Sequence, residues 1–454
     1  MKIVIVGAGE VGFHIANHLT LENKEVVVID KNAAAIRRVS DNLDVQVVRG
    51  SGSSPVVLEE AGIRNAEVLL AVTDSDEANL VACLVANMLS PSTQKLARVR
   101  DGDFDRYHDH FRENAPHIDT IINPEIEVVK TIASMLSVPG AADVGEFADG
   151  RIKFIGIYLD SNSPLAGVKL SEIPDKITHV RLLIAAVVRE EELIIPRGDD
   201  YLMPGDLVYF ISEEEKLQET LAVFDKYDQP VKRVLIVGGG NIGFRLARSL
   251  EENSIYCKII ESSPDRCAEI AERLNRTVVL CGDGSDQALL AEENIRDIDV
   301  VITLTENEET NILASLLAMR MGAKKAITKI SRFSYFPLMK AIGLEQVVSA
   351  RLSAINTLLQ HIRKGKVLSA ISIKGEQAEV MEALALETSD IVDKPLKKIS
   401  FPKGAIVAGI IRKDDIIIPT GESVIRPEDR VIIFARRQAI AKVEKMLSVK
   451  LEYF

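Results

Sequence analysis

Over residues 1–138 short, almost wholly apolar runs alternate with segments of helical period. Residues 3–6, 26–30, 68–72 and 96–99 are such runs. Apolar runs of strand length separated by helical segments suit βαβ units, because a parallel sheet is covered by helices on both faces. Beyond residue 140 the pattern changes. Residues 151–159, 180–189, 193–196 and 206–211 read as short strands between Gly, Pro and Asp turns, closed by a Glu/Lys-rich helix after Ser212. After 226–230, read as a linker, both patterns return in the same order. The expected organisation is α/β in four parts: a parallel-sheet lobe at 1–138, a small α+β module at 141–225, a second lobe at 231–363 and a second module at 366–454.

The two lobes open with the same sentence. KIVIVGAGEVG begins at Lys2 and RVLIVGGGNIG at Arg233, and each is followed by a helix and a second apolar strand that ends on a carboxylate, Asp30 or Glu261. A strand, a Gly-x-Gly-x-x-Gly turn and a helix form the dinucleotide-binding fingerprint, so both lobes are expected to be Rossmann-like and doubly wound. The first glycine (Gly7, Gly238) makes the tight turn. The second (Gly9, Gly240) lets a pyrophosphate approach the backbone, and the third (Gly12, Gly243) lets the helix lie against the strand, its amide end facing the phosphate. A carboxylate at the end of the second strand accepts ribose hydroxyls and repels a 2′-phosphate, which favours NAD over NADP.

The duplication continues past the fingerprint. Gly50-Ser51-Gly52-Ser53 matches Gly282-Asp283-Gly284-Ser285 after the third strand, and the loop from Val72 to Asn79 matches that from Leu304 to Asn311 after the fourth. Pro196-Arg197-Gly198-Asp199 corresponds to Pro419-Thr420-Gly421-Glu422, and Pro204-Gly205-Asp206 to Pro427-Glu428-Asp429. The chain therefore reads as a tandem repeat of roughly half its length.

Charge and size narrow the function classes. At 454 residues and 47% hydrophobic content the chain holds several buried cores. A net charge of −12 without a useful Lys/Arg run disfavours unaided binding to nucleic acid or anionic lipid. The longest apolar stretches, such as 182–188, have strand length and polar flanks, so no direct membrane insertion is expected. Met1-Lys2 running straight into an apolar strand leaves no room for a signal peptide, and the four cysteines have no paired spacing, which points to a cytoplasmic chain.

The glycine turns, the acidic strand ends, the GSGS and GDGS loops, the VTDSDEAN and LTENEETN loops and the two small modules together resemble the TrkA family of potassium-uptake regulators, built from two consecutive RCK (or KTN) units. The resemblance spans the whole chain. It implies N-lobes that bind NAD(H), with ADP and ATP as alternative ligands, in a homotetramer. It also implies gating of a membrane potassium channel or transporter subunit of the TrkH/TrkG type, and a peripheral place on the inner face of the cell membrane through that partner. The family carries an Asp in the third-strand loop; Asp283 supplies it in the second copy, and Ser51 stands there in the first.

The candidate nucleotide-binding residues are Gly7, Gly9, Glu10, Val11, Gly12, Asp30, Ser51, Thr73, Asp74, Asn79, Arg98 and Arg100 in the first lobe. In the second they are Gly238, Gly240, Asn241, Ile242, Gly243, Glu261, Asp283 and Thr305. Arg98 and Arg100, two residues apart at a strand end, share a face and suit either phosphates or an ion pair with neighbouring carboxylates; Lys329 and Arg332 occupy the same region of the second copy. Thr73, Asp74, Asp76 and Asn79 either reach the ribose near a nicotinamide or cap the following helix, and capping is the reading for Asp76. The second turn, followed by Ser262-Ser263, also fits a lobe that keeps its glycines for packing alone.

No metal site is expected, because His14, His18, His108, His110 and His117 have no completing Cys or paired carboxylate nearby. Cys83, Cys257, Cys267 and Cys281 read as small apolar fillers. The competing function is an NAD-dependent oxidoreductase. That chemistry needs an acid or base and substrate anchors, usually on a large catalytic domain. The small modules keep their polar residues mostly at turns, so no catalytic residues are expected, and the duplication suits a ligand-biased switch.

Overall fold

The computed structural model describes residues 1–447 except 103, 115–116, 139, 178–180, 191, 227–229, 363–366 and 374–376. The first residue of the expected 180–189 strand and the middle of the 226–230 linker lie outside the described residues.

In the first lobe β1 (Lys2–Val6), β2 (Glu25–Asp30), β3 (Gln46–Arg49), β4 (Val68–Ala71), β5 (Gln94–Arg98) and β6 (Thr120–Ile122) form one sheet in the order β3-β2-β1-β4-β5-β6. Every adjoining pair is parallel. Successive strand residues face opposite sides, and both sides are apolar. Ile3, Ile5, Val28 and Leu70 pack with Ile15 and Leu19 on one face, while Val4, Val27 and Leu69 pack with Leu58 and Ala82 on the other. The chain order reverses between β1 and β4, and the crevice at the carboxyl ends of the strands is where such sheets take ligands.

The first module is a sheet of β7 (Asp143–Phe147), β8 (Ile152–Tyr158), β9 (Leu183–Arg189), β10 (Glu192–Ile194) and β11 (Leu207–Glu213) in the order β10-β9-β11-β8-β7, all antiparallel. Sequence patterning misses β7, an edge strand whose DVGEF sequence carries two carboxylates and a glycine. The second lobe repeats the first: β12 (Arg233–Val237), β13 (Tyr256–Glu261), β14 (Val278–Cys281), β15 (Val300–Thr303), β16 (Lys325–Lys329) and β17 (Gln346–Val348) lie in the order β14-β13-β12-β15-β16-β17. In the second module β18 (Val367–Ile373), β19 (Ala378–Leu384), β20 (Ala405–Arg412), β21 (Asp415–Ile417) and β22 (Arg430–Arg436) take the order β18-β19-β22-β20-β21, the first module's order read from the other edge.

The four parts assort by kind into two compact units, 1–130 with 235–362 and 131–234 with 363–454. In the first unit the helix Ala350–Ile362, which follows the second lobe's last strand, lays Ala354, Ile355, Leu358 and Leu359 against the Glu10–Leu21 helix of the first lobe. Those positions form one helical face, and fully burying each Leu or Ile contributes about 1.5–3 kcal/mol. In the second unit the two modules pack sheet against sheet. Phe154 stacks on Tyr209 at 5.6 Å and on Phe434 at 6.0 Å, and Arg430 binds Asp149 at 2.7 Å and Glu382 at 2.5 Å.

Candidate nucleotide site

Each glycine of the two turns is required for a different reason. Gly7 and Gly238 adopt φ of 113° and 109°, a backbone region closed to most side chains. At Gly12 a Cβ would meet the Gly7 carbonyl oxygen at 1.8 Å, and at Gly243 that of Gly238 at 2.0 Å, so helix and turn touch backbone to backbone. At Gly9 and Gly240 a Cβ meets nothing within 4 Å, and the space above those backbones is open. Both glycines are N-caps, and no side chain caps the helices Glu10–Leu21 and Asn241–Glu252. By contrast Asn32, Ser75, Ser263 and Asn307 cap their helices with side-chain oxygens. The amides of those two first turns are therefore available to an anion, as a pyrophosphate site requires.

The strand-end carboxylates organise the same turns. Asp30 accepts from the Ala8 amide at 2.6 Å and the Asn32 amide at 2.7 Å. Glu261 repeats this with Gly239 and Ser263, both at 2.8 Å. Burial pushes the Glu261 carboxyl up, but the amides of Ser263 and Gly239 outweigh it and hold the group below the usual carboxylate range. Two backbone amides thus hold the carboxylate at each second-strand end. Arg38 and Arg266 donate to the carbonyls of Ala8 and Gly239, the residues between the paired glycines. Sequence reading misses this shared role, because the two arginines sit three residues apart in the aligned repeat and reach the turn from adjacent turns of one helical face.

A cleft of about 460 Å³ in the first lobe is lined by Gly9, Asp30, Ser51, Thr73 and Asp74, among others. Ser51 pairs with Ser53 at 2.9 Å. In the second lobe Asp283 takes both the amide and hydroxyl of Ser285, which hold its carboxyl low. Asn79 is fully buried and spends its amide on the chain itself. Its oxygen accepts from the Thr73 amide and hydroxyl at 2.9 and 2.6 Å, and its nitrogen donates to the carbonyls of Thr73 and Arg98. It positions Thr73 from beneath, and Asn311 treats Thr305 identically. The helix cap is Ser75, while Asp76 accepts from the Arg100 and Asp101 amides at 2.9 and 3.0 Å, tying the fourth-strand loop to the end of β5.

The cleft shares Gly9, Val72 and Asp74 with a neighbouring cavity of about 640 Å³ between the two lobes. Its cations are Arg38, Arg98 and Arg100 of the first lobe and Lys329 and Arg351 of the second. Glu10 and Glu125 face them, and Arg38 holds the Glu10 carboxyl low through a hydrogen bond. Arg98 meets Asp74 at 3.3 Å, and Arg100 donates to the Asp74 carbonyl at 2.6 Å. Asp74 itself is 94% exposed, so its screened charge offsets little of theirs. Burial, then the like charge of Arg100, lowers the pKa of Arg98, whose Nε is buried without a hydrogen-bond partner; burial likewise lowers that of Lys329. Arg332 is directed instead to Glu309 and the Tyr335 hydroxyl. Val11 and Ile242 are buried at the turns, and Asn241 donates to Glu125 at 3.3 Å.

Comparison with known proteins agrees with the duplication. The TrkA-N domain model matches residues 3–124 and 234–350, and the TrkA-C domain model matches 154–225 and 380–448. The chain is 39% identical to the Trk system potassium uptake protein TrkA homolog 2 of Methanosarcina mazei, over 98% of this chain and 100% of the relative. It is 36% identical to the Trk system potassium uptake protein TrkA of Halomonas elongata, over the whole of both chains. Among solved structures, the GsuK RCK domain superposes with a TM-score of 0.59 at 19% identity, covering 98% of this chain and 94% of that one. The GsuK channel bound to NAD gives 0.59 at 19% identity, covering 98% and 78%. At that identity the structural likeness concerns the fold.

Proposed function

The chain belongs to the TrkA family of Trk-system potassium uptake proteins, and from that premise we propose a nucleotide-binding regulatory subunit that gates a membrane potassium channel or transporter by changing conformation with its ligand. It is a regulator of potassium uptake and not an oxidoreductase. One observation carries the nucleotide reading: an open glycine, an uncapped helix end and an anchored carboxylate occur together at the sheet's carboxyl edge, once in each lobe. NAD bound to the GsuK channel, a protein of the same fold, is consistent with it.

The residues fit an adenosine diphosphate half. Gly9 and the first helix turn receive the pyrophosphate, Asp30 orients the ribose, and Thr73 lines the path a nicotinamide riboside takes. Arg98 and Arg100, with Lys329 across the cavity, balance a terminal phosphate. These cations come from both lobes, so ligands that differ beyond the second phosphate stabilise different lobe arrangements. Each shifts the equilibrium only by its differential affinity. The full candidate set named from the sequence, the four-part division at 1–138, 141–225, 231–363 and 366–454, a homotetramer, and a peripheral cytoplasmic place beneath a TrkH/TrkG-type partner belong to the same proposal. No helix among the described residues is long and apolar enough to cross a membrane, and in this proposal the pore belongs to that partner.

The test is potassium flux through vesicles holding the TrkH-type subunit and this chain, with ATP, ADP or NADH added in turn. Flux that depends on both the chain and the nucleotide is expected, and flux indifferent to every nucleotide counts against the proposal. A hydride-transfer screen separates the enzyme alternative: steady NADH oxidation with a small 2-oxo acid would establish it.

A further inference from the structure

Two thiols meet beside the acidic strand end of the second lobe. Cys267, in the helix Pro264–Arg273, is buried, and its Sγ donates to the Glu261 carbonyl at 3.2 Å. Cys281 ends β14 directly opposite Glu261 in the strand register, and it is exposed. The helix packs on β14, so both thiols stand beside the Glu261 strand end, close enough to influence one another electrostatically. From these neighbouring positions the sulfurs close to about 2.05 Å when a disulfide forms. The first lobe has no such pair: Ile36 and Arg49 occupy the matching positions, with Arg49 opposite Asp30 as Cys281 is opposite Glu261.

We propose that Cys267 and Cys281 form a reversible disulfide, a modification site confined to the second lobe. The proposal stands on the thiols and is independent of the nucleotide reading. The two cysteines divide the chemistry. Burial, together with Cys281 and the Glu261 charge, pushes the Cys267 thiol up to about 11, so it stays protonated at neutral pH. The exposed Cys281, as thiolate, attacks a low-molecular-weight disulfide such as oxidised glutathione, forms a mixed disulfide and expels one thiolate. The Cys267 sulfur then attacks the Cys281 sulfur, its proton passing to the second departing thiolate. Two protein thiols are oxidised to one disulfide, and one external disulfide is reduced to two thiols.

The chain contains its own controls, because Cys83 and Cys257 are buried and burial pushes both thiols up to about 12. Full-length protein is incubated with oxidised glutathione, alkylated, digested without reductant and read by mass spectrometry. The expected product joins the Cys267 and Cys281 peptides, with Cys83 and Cys257 alkylated, and dithiothreitol added before the alkylation should return all four cysteines as alkylated thiols. Cys267→Ser should stop at a glutathione adduct on Cys281, which shows that the mixed disulfide precedes closure. A stable adduct on wild-type Cys281 with Cys267 still alkylatable overturns the proposal, as does a Cys281–Cys281 link between chains as the main product.

Discussion

At Gly9 a side chain would stand in open space above the backbone, whereas at Gly12 it would strike the Gly7 carbonyl. The two glycines of one motif therefore separate ligand from fold. Gly9→Val should leave thermal unfolding nearly unchanged and abolish nucleotide binding in the first lobe, measured by calorimetry with the second lobe disabled through Gly240→Val. Gly12→Val should instead lower the unfolding midpoint or prevent folding. Unchanged NADH affinity in Gly9→Val would remove the pyrophosphate from that turn. Asp30 is a different case, since both its oxygens already hold backbone amides at 2.6 and 2.7 Å. Asp30→Ala should weaken NADH by about 1–3 kcal/mol, the scale of a hydrogen bond to a charged group, and narrow discrimination against NADPH. Equal wild-type affinities for the two dinucleotides would sink the ribose assignment. These residues are legible in the sequence because the constraint on each is local: a turn, a close contact and a strand end at fixed spacing. Asn79 is legible as a loop polar residue but not in its full role, since the Arg98 carbonyl meets it only when β4 and β5 lie side by side.

Elements repeat more faithfully than their sequences. Both lobes order their six strands alike, and both modules share one five-stranded order, although the edge strand β7 offers no apolar run to announce it. The alternation of apolar runs with helical segments sufficed for the parallel sheets, where both faces are buried. It failed at the module edge, where only pairing with β8 defines the strand. The repeated turns do carry a structural element into view. Asp206 of the Pro-Gly-Asp turn is 1% exposed and grips Arg189 with both oxygens, at 2.8 and 2.7 Å, while accepting the Met203 amide at 2.8 Å. Its hydrogen bonds hold the Arg189 guanidinium above its ordinary range. Asp429 does the same with Arg412 and the Arg426 amide. The motif staples the turn to β9 or β20. Asp206→Ala should therefore destabilise the first module by about 1–3 kcal/mol through the lost amide and guanidinium bonds, and Asp429→Ala the second. Denaturant unfolding of the full chain checks this, and a midpoint unchanged in both variants would reduce the pairs to surface decoration.

Across the whole molecule the question is whether the two lobes read one ligand together. The sequence shows two nucleotide turns but not that β5 of the first lobe and β16 of the second bring their terminal cations to one cavity, because the lobes' packing depends on the helix Ala350–Ile362 meeting the Glu10–Leu21 helix from the far end of the other lobe. Arg98 and Arg100 have an exposed partner in Asp74, and Lys329 makes a long contact of 3.4 Å to the Leu304 carbonyl. If a terminal phosphate sits among them, removing the arginines should cost ATP more than NADH, because the added phosphate charge is what they balance. Arg98→Gln with Arg100→Gln keeps polarity and moderate length while removing charge. An ion-pair role alone predicts lower thermal stability and equal proportional losses for ATP, ADP and NADH. Lys329→Gln then tests the sharing between lobes. Two lobes that bind independently give additive losses when the changes are combined, whereas one phosphate held from both sides makes the ATP losses non-additive by about 0.5–3 kcal/mol, the range for residues that share a partner. Titrations of the four proteins at fixed salt complete the cycle, and additivity for ATP would mean that the cavity joins the lobes without coupling them.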